Sequence, residues 1–375
     1  MARTRVALLG ASGSIGRQAA DVLNQHPELF ELVALASGRG GERHQELAAA
    51  HPAARSLIGG SSADLQGIVT DTAPDIVLVA TTGVVGLAAT IAALEGGAAV
   101  AIANKETIIA GGEVVLRAAR AAAARAGSTM LERLRPVDSE HSALWQCLVG
   151  EEPERVRALW LTASGGPFRA STAAEIAAAT PDQALKHPTW SMGAKITIDS
   201  ATLVNKGLEA IEAHRLFSVS MDQVKIVVHP QSVVHGLVEF VDGSTKSQMG
   251  SPDMRGPISF ALGYPRRMPV AIPNVDLAAQ GSLTFSEPDP VRFPGLAVAL
   301  EAGRSSGAAA GALIAADDVA VARFLAGEYP LGGIPRLLRA AVDTFGTRPA
   351  PSSLAEVLDL HNEVTVFAES WRGAA

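Results

Sequence analysis

The sequence predicts an α/β protein made of an N-terminal doubly wound domain, a central α+β domain with its own sheet, and a C-terminal helical bundle. Three observations predict it. Up to about residue 126, short apolar runs alternate with alanine-rich amphipathic segments; the middle region carries longer strand-like runs; the region after about residue 295 has helical periodicity. We place the domain boundaries at residues 1–149, 150–288 and 289–375.

The N-terminal elements follow a βαβ rhythm. Buried parallel strands are predicted at four apolar runs, 5–10, 31–37, 75–81 and 98–104. Helices are predicted between and after them, near 14–24, 42–51, 86–95 and 113–126. Strands and helices that alternate in this way form the parallel sheet of a Rossmann-like domain.

The remaining elements divide into a strand-rich middle and a helical tail. Strands are predicted in "RVRALWLTASGG" and "VKIVVHPQSVVHGLVEFVDGSTKSQMG", with Asp242 and Gly243 as a hairpin turn. After a Pro- and Gly-rich loop at about 263–295, helices are predicted near 296–304, 309–327, 334–345 and 353–371. Ser353 and Glu356 have the spacing of a capping box at the start of the last helix.

Composition limits the classes of function. The chain has 375 residues and a net charge of −7, so neither nucleic acid nor an anionic membrane is expected as the main partner. A phosphorylated small molecule still fits, because a local pocket can be basic on an acidic protein. The single cysteine, Cys147, cannot form an internal disulfide, and the sequence shows neither a leader peptide nor a membrane-spanning run. We therefore expect a cytoplasmic protein.

The first strand runs directly into "GASGSIG", with Gly10, Gly13 and Gly16 opening a helix. Glycines let the backbone approach a phosphate, and a helix N-terminus offers free N–H groups to it. A tight turn without a ligand is the alternative. At the end of the second strand, "ASGRG" offers Arg39 and no acid, so a 2′-phosphate, and hence NADP rather than NAD, is favoured.

The stretch "PVDSEHSA" places Asp138, Ser139 and Glu140 in a row. If the segment is extended, the two carboxylates point to one side and need a cation between them, with Ser139 on the other side. The alternative is a helix N-terminus with acidic capping residues.

The segment "DSATLVNKGLE" adds a third carboxylate. If it is helical, Asn205 and Lys206 lie on one face with Glu209, four and three residues ahead of it. Glu209 together with Asp138 and Glu140 would form an all-oxygen site, which suits Mg²⁺ or Mn²⁺ rather than Zn²⁺. An ordinary surface ion pair between Lys206 and Glu209 is the alternative.

Three further stretches are chemically suggestive. "ANKET" follows the fourth strand at the ligand-binding edge of the sheet, or else is a solvated helix start. "TASGGPF" places Ser164 in an anion-binding nest or a plain turn. "KHPTWSMG" suits a loop that closes over a ligand with Trp190, or a loop anchored by a buried Trp190.

These motifs together resemble the 1-deoxy-D-xylulose 5-phosphate reductoisomerase family. "GASGSIG", "ANKET", "PVDSEHSA", "TASGGPF", "HPTWSMGAKITIDSATLVNKGLE" and "HPQSVVHGLVEFVDGS…MGSPDMRGPI" occur in that family's order and spacing. The resemblance covers residues 4–265 densely and the helical tail loosely. It implies an oxidoreductase and isomerase of isoprene biosynthesis that uses NADPH and Mg²⁺ or Mn²⁺, with Co²⁺ as a further alternative. It also implies a phosphorylated sugar-like substrate and a homodimer joined through the central sheet.

The resemblance implies a role for each matched residue. The metal ligands are Asp138, Glu140 and Glu209, which with Lys105 form the catalytic group. Substrate contacts are Lys105 and Ser139 on the carbon chain, Ser164, His187, Ser200, Asn205 and Lys206 at the phosphate, Trp190 and Met192 in the lid, and Met254 near the nicotinamide. The NADPH contacts are Ser12, Gly13, Ser14, Ile15, Gly38, Arg39, Asn104, Glu106 and Gly193.

The chain departs from the family's pattern in several places. Arg39 and Gly40 stand where Lys and Asn are common, Thr189 replaces a common Asn, and "ALIAADDVAVA" replaces the tail's usual Asn-Ala-Ala-Asn-Glu pattern. Two other functions stay open: a different NADP-dependent oxidoreductase of a phosphorylated or sugar-like carbonyl compound, which needs no carboxylate triad, and a non-enzymatic NADP(H) sensor. The order of bond making, retro-aldol and aldol steps or α-ketol migration, also stays open.

Overall fold

The computed structural model describes residues 2–190 and 192–373, so Ser191 of the predicted lid lies outside the described residues. The chain forms two compact units. The first unit is Met1–Trp145 with Asp253–Asn274, and the second is Gln146–Pro252 with Val275–Ala375. The division into three domains at residues 149 and 288 stays a prediction.

The strands belong to two sheets. In chain order they are β1 (Thr4–Leu9), β2 (Phe30–Ser37), β3 (Arg55–Ile58), β4 (Ile76–Val79), β5 (Ala99–Ile102), β6 (Leu134–Pro136), β7 (Val156–Ala163), β8 (Val224–Val228), β9 (Val234–Phe240) and β10 (Thr245–Met249).

The α-helices are more numerous than the strands. In chain order they are α1 (Ser14–Gln25), α2 (Glu42–Ala50), α3 (Ser62–Thr72), α4 (Leu87–Glu95), α5 (Lys105–Ala126), α6 (Met130–Arg133), α7 (Ser139–Leu148), α8 (Ala173–Ala177), α9 (Pro181–Ala184), α10 (Ala194–Ala201), α11 (Val204–Phe217), α12 (Arg255–Gly263), α13 (Leu277–Gln280), α14 (Pro294–Arg304), α15 (Ala309–Leu325), α16 (Gly333–Phe345) and α17 (Leu354–Ser370). None of these helices is both long and apolar enough to cross a bilayer, judged over the described residues.

The first unit is built on a parallel sheet with the order β3-β2-β1-β4-β5-β6. Strands β2 and β3 are added on one side of β1, and β4 to β6 are added on its other side. The boundary between β1 and β4 is therefore the switch point where doubly wound folds bind ligands. The four predicted strands are confirmed, and so is the doubly wound class. The apolar residues of these strands are almost completely buried.

Helix α12 completes the core of the first unit although it comes much later in the chain. Its residues Ile258, Ala261 and Leu262 pack in the same apolar cluster as Val6 and Leu8 of β1. The chain therefore leaves the first unit after Trp145 and returns to it at Asp253.

The second unit combines a mixed sheet with helices. The sheet order is β10-β9-β7-β8, in which β7 and β8 run parallel and β9 is antiparallel to β7 and β10. Asp242 and Gly243 lie in the hairpin between β9 and β10, with Gly243 at a φ of 85°, so the predicted turn is confirmed. Helices α14 to α17 match the four predicted helices of the tail.

Several elements were missed or misplaced. Strands β3 and β6 and helix α3 were not predicted, because the strands have only four and three residues and α3 lacks a long apolar stripe. Helix α5 begins at Lys105 rather than near residue 113. Gly112 has non-helical backbone angles inside it, so the predicted helix corresponds to the part of α5 after this kink. The predicted capping box of α17 is half formed: Ser353 accepts from the Glu356 amide, whereas the Glu356 carboxylate binds Ser352.

Candidate active site

Two glycines in and just after the glycine-rich loop that follows β1, Gly10 and Gly16, have no room for a side chain. Gly10 has a φ of 92°, and a Cβ there would lie 2.3 Å from the Ala80 carbonyl oxygen at the end of β4. A Cβ on Gly16 would lie 2.2 Å from the Gly10 carbonyl oxygen. Gly13 precedes the first turn of α1 in an extended conformation. The two glycines therefore let the loop pack closely against the end of β4 and against α1, and the N-terminus of α1 lies at the switch point, as a pyrophosphate site requires.

A buried histidine ties the glycine-rich loop to the ends of β2 and β3. Nδ1 of His44 lies 2.8 Å from Ser37 Oγ, and its Nε2 lies 2.7 Å from Ser56 Oγ. Ser37 Oγ also accepts from the Ser12 amide at 3.2 Å. Burial lowers the pKa of His44, so it bonds as a neutral ring. Arg39, two residues after Ser37, is exposed at the sheet edge.

Asn104 fixes the turn that follows β5. Its Oδ1 accepts from the Thr107 amide at 2.6 Å and caps α5, while its Nδ2 donates to the carbonyls of Thr81 and Gly83 at 2.7 and 2.9 Å. One side chain thus joins the loops after β4 and β5. The next two residues, Lys105 and Glu106, are each only 9% exposed, so "ANKET" is not a solvated helix start.

The Lys105 ammonium pairs with the Asp138 carboxylate, and both side chains are largely buried. Nδ1 of His141 lies 3.6 Å from the other Asp138 oxygen, from a position one helical turn later. His141 was not among the predicted site residues, although its spacing from Asp138 is the usual signal for two side chains on one helical face.

The structure corrects the geometry predicted for "PVDSEHSA". The segment is not extended through Glu140: β6 ends at Pro136 and α7 begins at Ser139. Asp138 precedes the helix, with its carbonyl accepting from the Ser142 amide. Ser139 does not turn away from the acids, since its hydroxyl donates to Glu140 at 2.5 Å. The helix-start alternative is therefore correct for the backbone, and the segment still presents two carboxylates.

Glu209 is held by its own helix in the way the spacing predicts. In α11, Asn205 Nδ2 donates to Glu209 Oε1 at 2.5 Å, and the Lys206 ammonium pairs with Oε2. Lys206 is 4% and Glu209 is 1% exposed, so this is a buried pair rather than a surface one. Two donors fix the carboxylate in one orientation while its charge stays unshielded by water.

His187 links Ser164 to the predicted lid, called here the lid segment (residues 187–193). Its Nδ1 accepts from the amides of Thr189 and Trp190 at 3.2 and 2.8 Å, so its proton is assigned to Nε2, which lies 3.1 Å from Ser164 Oγ. Burial lowers the pKa of His187 and keeps the ring neutral. Ser164 Oγ also accepts from the Gly166 amide at 3.2 Å. With two bonds accepted, its own hydrogen is left to donate to a ligand oxygen.

The same region brings Ser200 and Trp190 near Ser164. A Cβ on Gly166 would lie 2.7 Å from the Ser200 carbonyl oxygen, so the nest after β7 abuts the end of α10. Trp190 is half-buried, and its ring centroid lies 6.2 Å from that of His235. A core anchor would be fully buried, so the lid interpretation of Trp190 fits better than the anchor interpretation.

The comparisons with known proteins agree over more than nine-tenths of the chain. Profiles of 1-deoxy-D-xylulose 5-phosphate reductoisomerase match residues 6–63 and 42–112, and profiles of its C-terminal domains match 134–217 and 249–366. The reductoisomerase of Anaeromyxobacter sp. (strain K) is 47% identical over 93% of this chain and 92% of its own length. The chain belongs to the 1-deoxy-D-xylulose 5-phosphate reductoisomerase family.

Solved structures of the reductoisomerase family have the same fold. The enzyme from Zymomonas mobilis in complex with NADPH is 35% identical, with a TM-score of 0.87 over 98% of this chain and 99% of that one. A reductoisomerase in complex with NADPH, fosmidomycin and magnesium is 34% identical, with a TM-score of 0.86 over 97% of each chain. The predicted family and fold class are thereby confirmed.

The predicted site residues of this reductoisomerase-family chain fall into one group in each unit. In the first unit, the cofactor residues Ser12 to Ile15 and Gly38 to Arg39 follow β1 and β2, Asn104 to Glu106 follow β5, and Asp138 to Glu140 follow β6. Met254 also belongs to this unit, beside the core cluster. In the second unit, Ser164, His187, Trp190, Met192, Gly193, Ser200, Asn205, Lys206 and Glu209 lie between β7 and the middle of α11.

The donor atoms suit the ligands that the family implies. The acidic residues offer only carboxylate oxygens, which are hard donors for Mg²⁺, and both Asp138 and Glu209 already have a lysine beside them. The N-terminus of α1, which follows the glycine-rich loop, suits a dinucleotide phosphate. His44 was not among the predicted site residues, because only the pairing of β2 with β3 places Ser37 and Ser56 at its two ring nitrogens.

Proposed function

We propose that this chain is an NADPH- and divalent-metal-dependent reductoisomerase that converts 1-deoxy-D-xylulose 5-phosphate to 2-C-methyl-D-erythritol 4-phosphate, for isoprenoid precursor biosynthesis by the non-mevalonate route. The observation that carries this conclusion is membership of the family over more than nine-tenths of the chain. The donor sets of both units support it.

NADPH belongs in the first unit. The pyrophosphate would lie beside Ser12 to Ile15, at the backbone amides of the N-terminus of α1, and Arg39 after the end of β2 would bind the 2′-phosphate. His44 and Asn104 keep these loops in place through the hydrogen bonds described above. When bound, NADPH supplies the hydride that completes the reaction.

Mg²⁺ or Mn²⁺, with Co²⁺ as an alternative, belongs with Asp138, Glu140 and Glu209. When bound, such an ion acts as a Lewis acid on the substrate carbonyl. The chain prepares the ligands beforehand: Lys105 orients Asp138, and Asn205 and Lys206 orient Glu209. Each lysine also offsets part of the negative charge that three carboxylates place around one doubly charged ion.

The substrate phosphate belongs in the second unit. Ser164 donates its hydroxyl hydrogen to a phosphate oxygen, because its acceptor positions are taken by His187 and Gly166. Ser200, Asn205 and Lys206 complete this end of the site. Trp190 and Met192 cover it and exclude water while Lys105 and Ser139 contact the carbon chain.

We also propose that the protein works as a homodimer in the cytoplasm. Strand β10 is an edge strand that pairs only with β9 within the described residues, so its outer edge is available to a second copy. Cys147 is a buried thiol, which fits a reducing compartment. Light scattering of the purified protein tests the dimer, and a monomer at micromolar concentration would exclude it.

The test of the activity is a mixture of protein, NADPH, 1-deoxy-D-xylulose 5-phosphate and Mg²⁺, Mn²⁺ or Co²⁺, followed by NADPH absorbance. We expect NADPH to be consumed and the consumption to stop when EDTA removes the metal. Turnover that EDTA does not affect would favour a different oxidoreductase on this fold. NADPH binding without consumption under any metal would favour a sensor.

A further inference from the structure

A cluster of charged side chains, with two buried acids and a partly exposed lysine, joins α10 to α15 in the second unit. The Lys195 ammonium lies 2.8 Å from Asp199 Oδ2, one turn further along α10, and 2.6 Å from Asp317 Oδ2 on α15. Both carboxylates therefore share one ammonium. Asp318, also on α15, lies 3.7 Å from the same nitrogen and is partly exposed.

The charges of this cluster do not balance if both buried acids are ionised. The Asp199 and Asp317 side chains are 3% and 0% exposed, while Lys195 supplies a single positive charge. Among the described residues, neither Asp199 Oδ1 nor Asp317 Oδ1 has a hydrogen-bond partner. An ionised carboxylate oxygen without a partner in a buried site is costly, whereas a protonated one carries no charge.

We propose that Asp199 and Asp317 hold one proton between them, so that the cluster with Lys195 is neutral and clamps α10 to α15. These three side chains are positioning residues. Helix α10 begins directly after the lid segment and carries Ser200 near its end. The clamp thus holds the lid and the phosphate contacts in place; this consequence rests on the function proposed above.

The electrostatic surroundings favour a proton on Asp199. Burial, with a further contribution from Asp317, raises the pKa of Asp199 well above its usual value, and Lys195 only partly opposes this. The charge of Asp318 also raises the pKa of Asp199. Tyr329, which follows α15, interacts electrostatically with Asp317. Burial raises the pKa of Tyr329 to about 12, so its hydroxyl stays protonated.

The other helices packed against α10 are α9 and α11. Helix α9 carries Asp182, which is exposed. On α11, Lys206 and Glu209 are paired with each other. The charged groups that act on Asp199 are Asp317, Lys195 and Asp318, which lie on α10 and α15.

The proposal predicts an unusual pH dependence for Asp317→Asn. In the wild type, the folded chain keeps a proton that the unfolded chain loses above a pH of about 4, so the contribution of this proton to stability is complete below that pH and is lost as pH rises toward the folded pKa of Asp199. In Asp317→Asn, Asp199 can ionise as the sole partner of Lys195. We expect the unfolding constant of the wild type, relative to the variant, to rise about tenfold per pH unit across this window.

The measurement is urea unfolding of the full chain over that pH window, with Asp318→Asn as the matched control. The control should keep the wild-type pH slope, because Asp318 is partly exposed and more distant. Asp199→Asn should remove the slope as Asp317→Asn does, and it serves if Asp317→Asn fails to fold. An ordinary ion pair predicts the reverse: both buried-site variants are less stable at every pH and keep the wild-type slope, which would overturn the shared proton.

Steady-state kinetics test whether the cluster of Lys195, Asp199 and Asp317 holds the lid and the phosphate contacts in place. We expect the wild-type KM for 1-deoxy-D-xylulose 5-phosphate to rise several-fold at alkaline pH relative to Asp317→Asn, while kcat and the KM for NADPH stay similar in the two proteins. A KM ratio that does not change with pH would overturn the positioning role. Absence of turnover in the wild type would count against the proposed function only, because the unfolding experiment does not depend on activity.

Discussion

Nδ1 of His187 accepts a hydrogen bond from the backbone amide of Trp190, with the two nitrogens 2.8 Å apart. The opposite ring nitrogen lies 3.1 Å from Ser164 Oγ. One neutral imidazole therefore joins the loop that carries the tryptophan to the nest after β7. The two halves of this connection can be removed separately.

His187→Asn and His187→Gln should separate the two contacts. The amide oxygen of Asn can replace Nδ1 as acceptor for Trp190 but does not reach Ser164, whereas Gln can reach Ser164 but leaves the Trp190 amide without this acceptor. We expect both variants to raise the KM for the phosphorylated substrate, by about tenfold for a loss of roughly 1.4 kcal/mol. Limited proteolysis should find the 187–193 segment more sensitive in His187→Gln only. Equal sensitivity of the two variants would show that Nδ1 does not hold this segment.

Glu209→Gln should abolish most of the metal response. The amide keeps the shape of the side chain but removes one anionic ligand and leaves the buried Lys206 without its charged partner. We expect the apo protein to lose about 3 kcal/mol of stability and Mg²⁺ to raise the melting temperature of the wild type but not that of the variant.

The exposed acid Glu301, which pairs with Arg339, supplies the control for that experiment. Glu301→Gln should change stability by less than about 1 kcal/mol and keep the full Mg²⁺ response. An undiminished Mg²⁺ shift in Glu209→Gln would remove Glu209 from the metal site.

Arg39→Asp should shift cofactor preference from NADPH toward NADH. The change replaces attraction to a 2′-phosphate with repulsion and offers an acceptor to the ribose hydroxyl. Loss of a charged hydrogen bond is worth roughly 1.5–3 kcal/mol, so the KM for NADPH should rise tenfold or more. Arg43→Asp, at an exposed position of α2, is the control and should leave the preference unchanged. An unchanged preference in Arg39→Asp would place the 2′-phosphate elsewhere.

Trp190→Ala should weaken substrate binding while NADPH binding and stability stay close to wild type, because the ring is only half-buried. Trp145→Ala gives the contrast. Trp145 is 3% exposed and packs against Phe260 and Tyr264, so its loss should cost about 3–5 kcal/mol. Urea unfolding and isothermal titration measure the two effects. A stability loss in Trp190→Ala as large as in Trp145→Ala would make Trp190 a core residue.

Sequence patterns predicted most accurately the features that depend on residues close together in the sequence. The spacing of Asn205, Lys206 and Glu209 predicted their hydrogen bonds, because contacts within a helix follow directly from sequence separation. The strand that leads into "GASGSIG" likewise predicted the loop at the switch point. The extended geometry predicted for "PVDSEHSA" was wrong, because α7 already begins at Ser139. The extended part is only the three-residue strand β6, which depends on its pairing with β5.

Contacts between distant segments were outside the reach of the sequence. His44 binds Ser37 and Ser56, but only the pairing of β2 with β3 places these serines at its two nitrogens. The sharing of Lys195 by Asp199 and Asp317 spans more than a hundred residues. The altered tail motif "ALIAADDVAVA" was recognised as unusual, yet its partner on α10 could not be derived from it.

The late position of α12 in the chain has a consequence for biosynthesis. Ile258, Ala261 and Leu262 fill the same core as β1, so a nascent chain that has emerged only through Trp145 lacks part of the apolar packing of its first unit. The ribosome must deliver the whole of Gln146–Pro252 before that core can close. Folding of the N-terminal half is thus completed late in translation, and a nascent chain stalled before Asp253 exposes apolar surface that chaperones recognise.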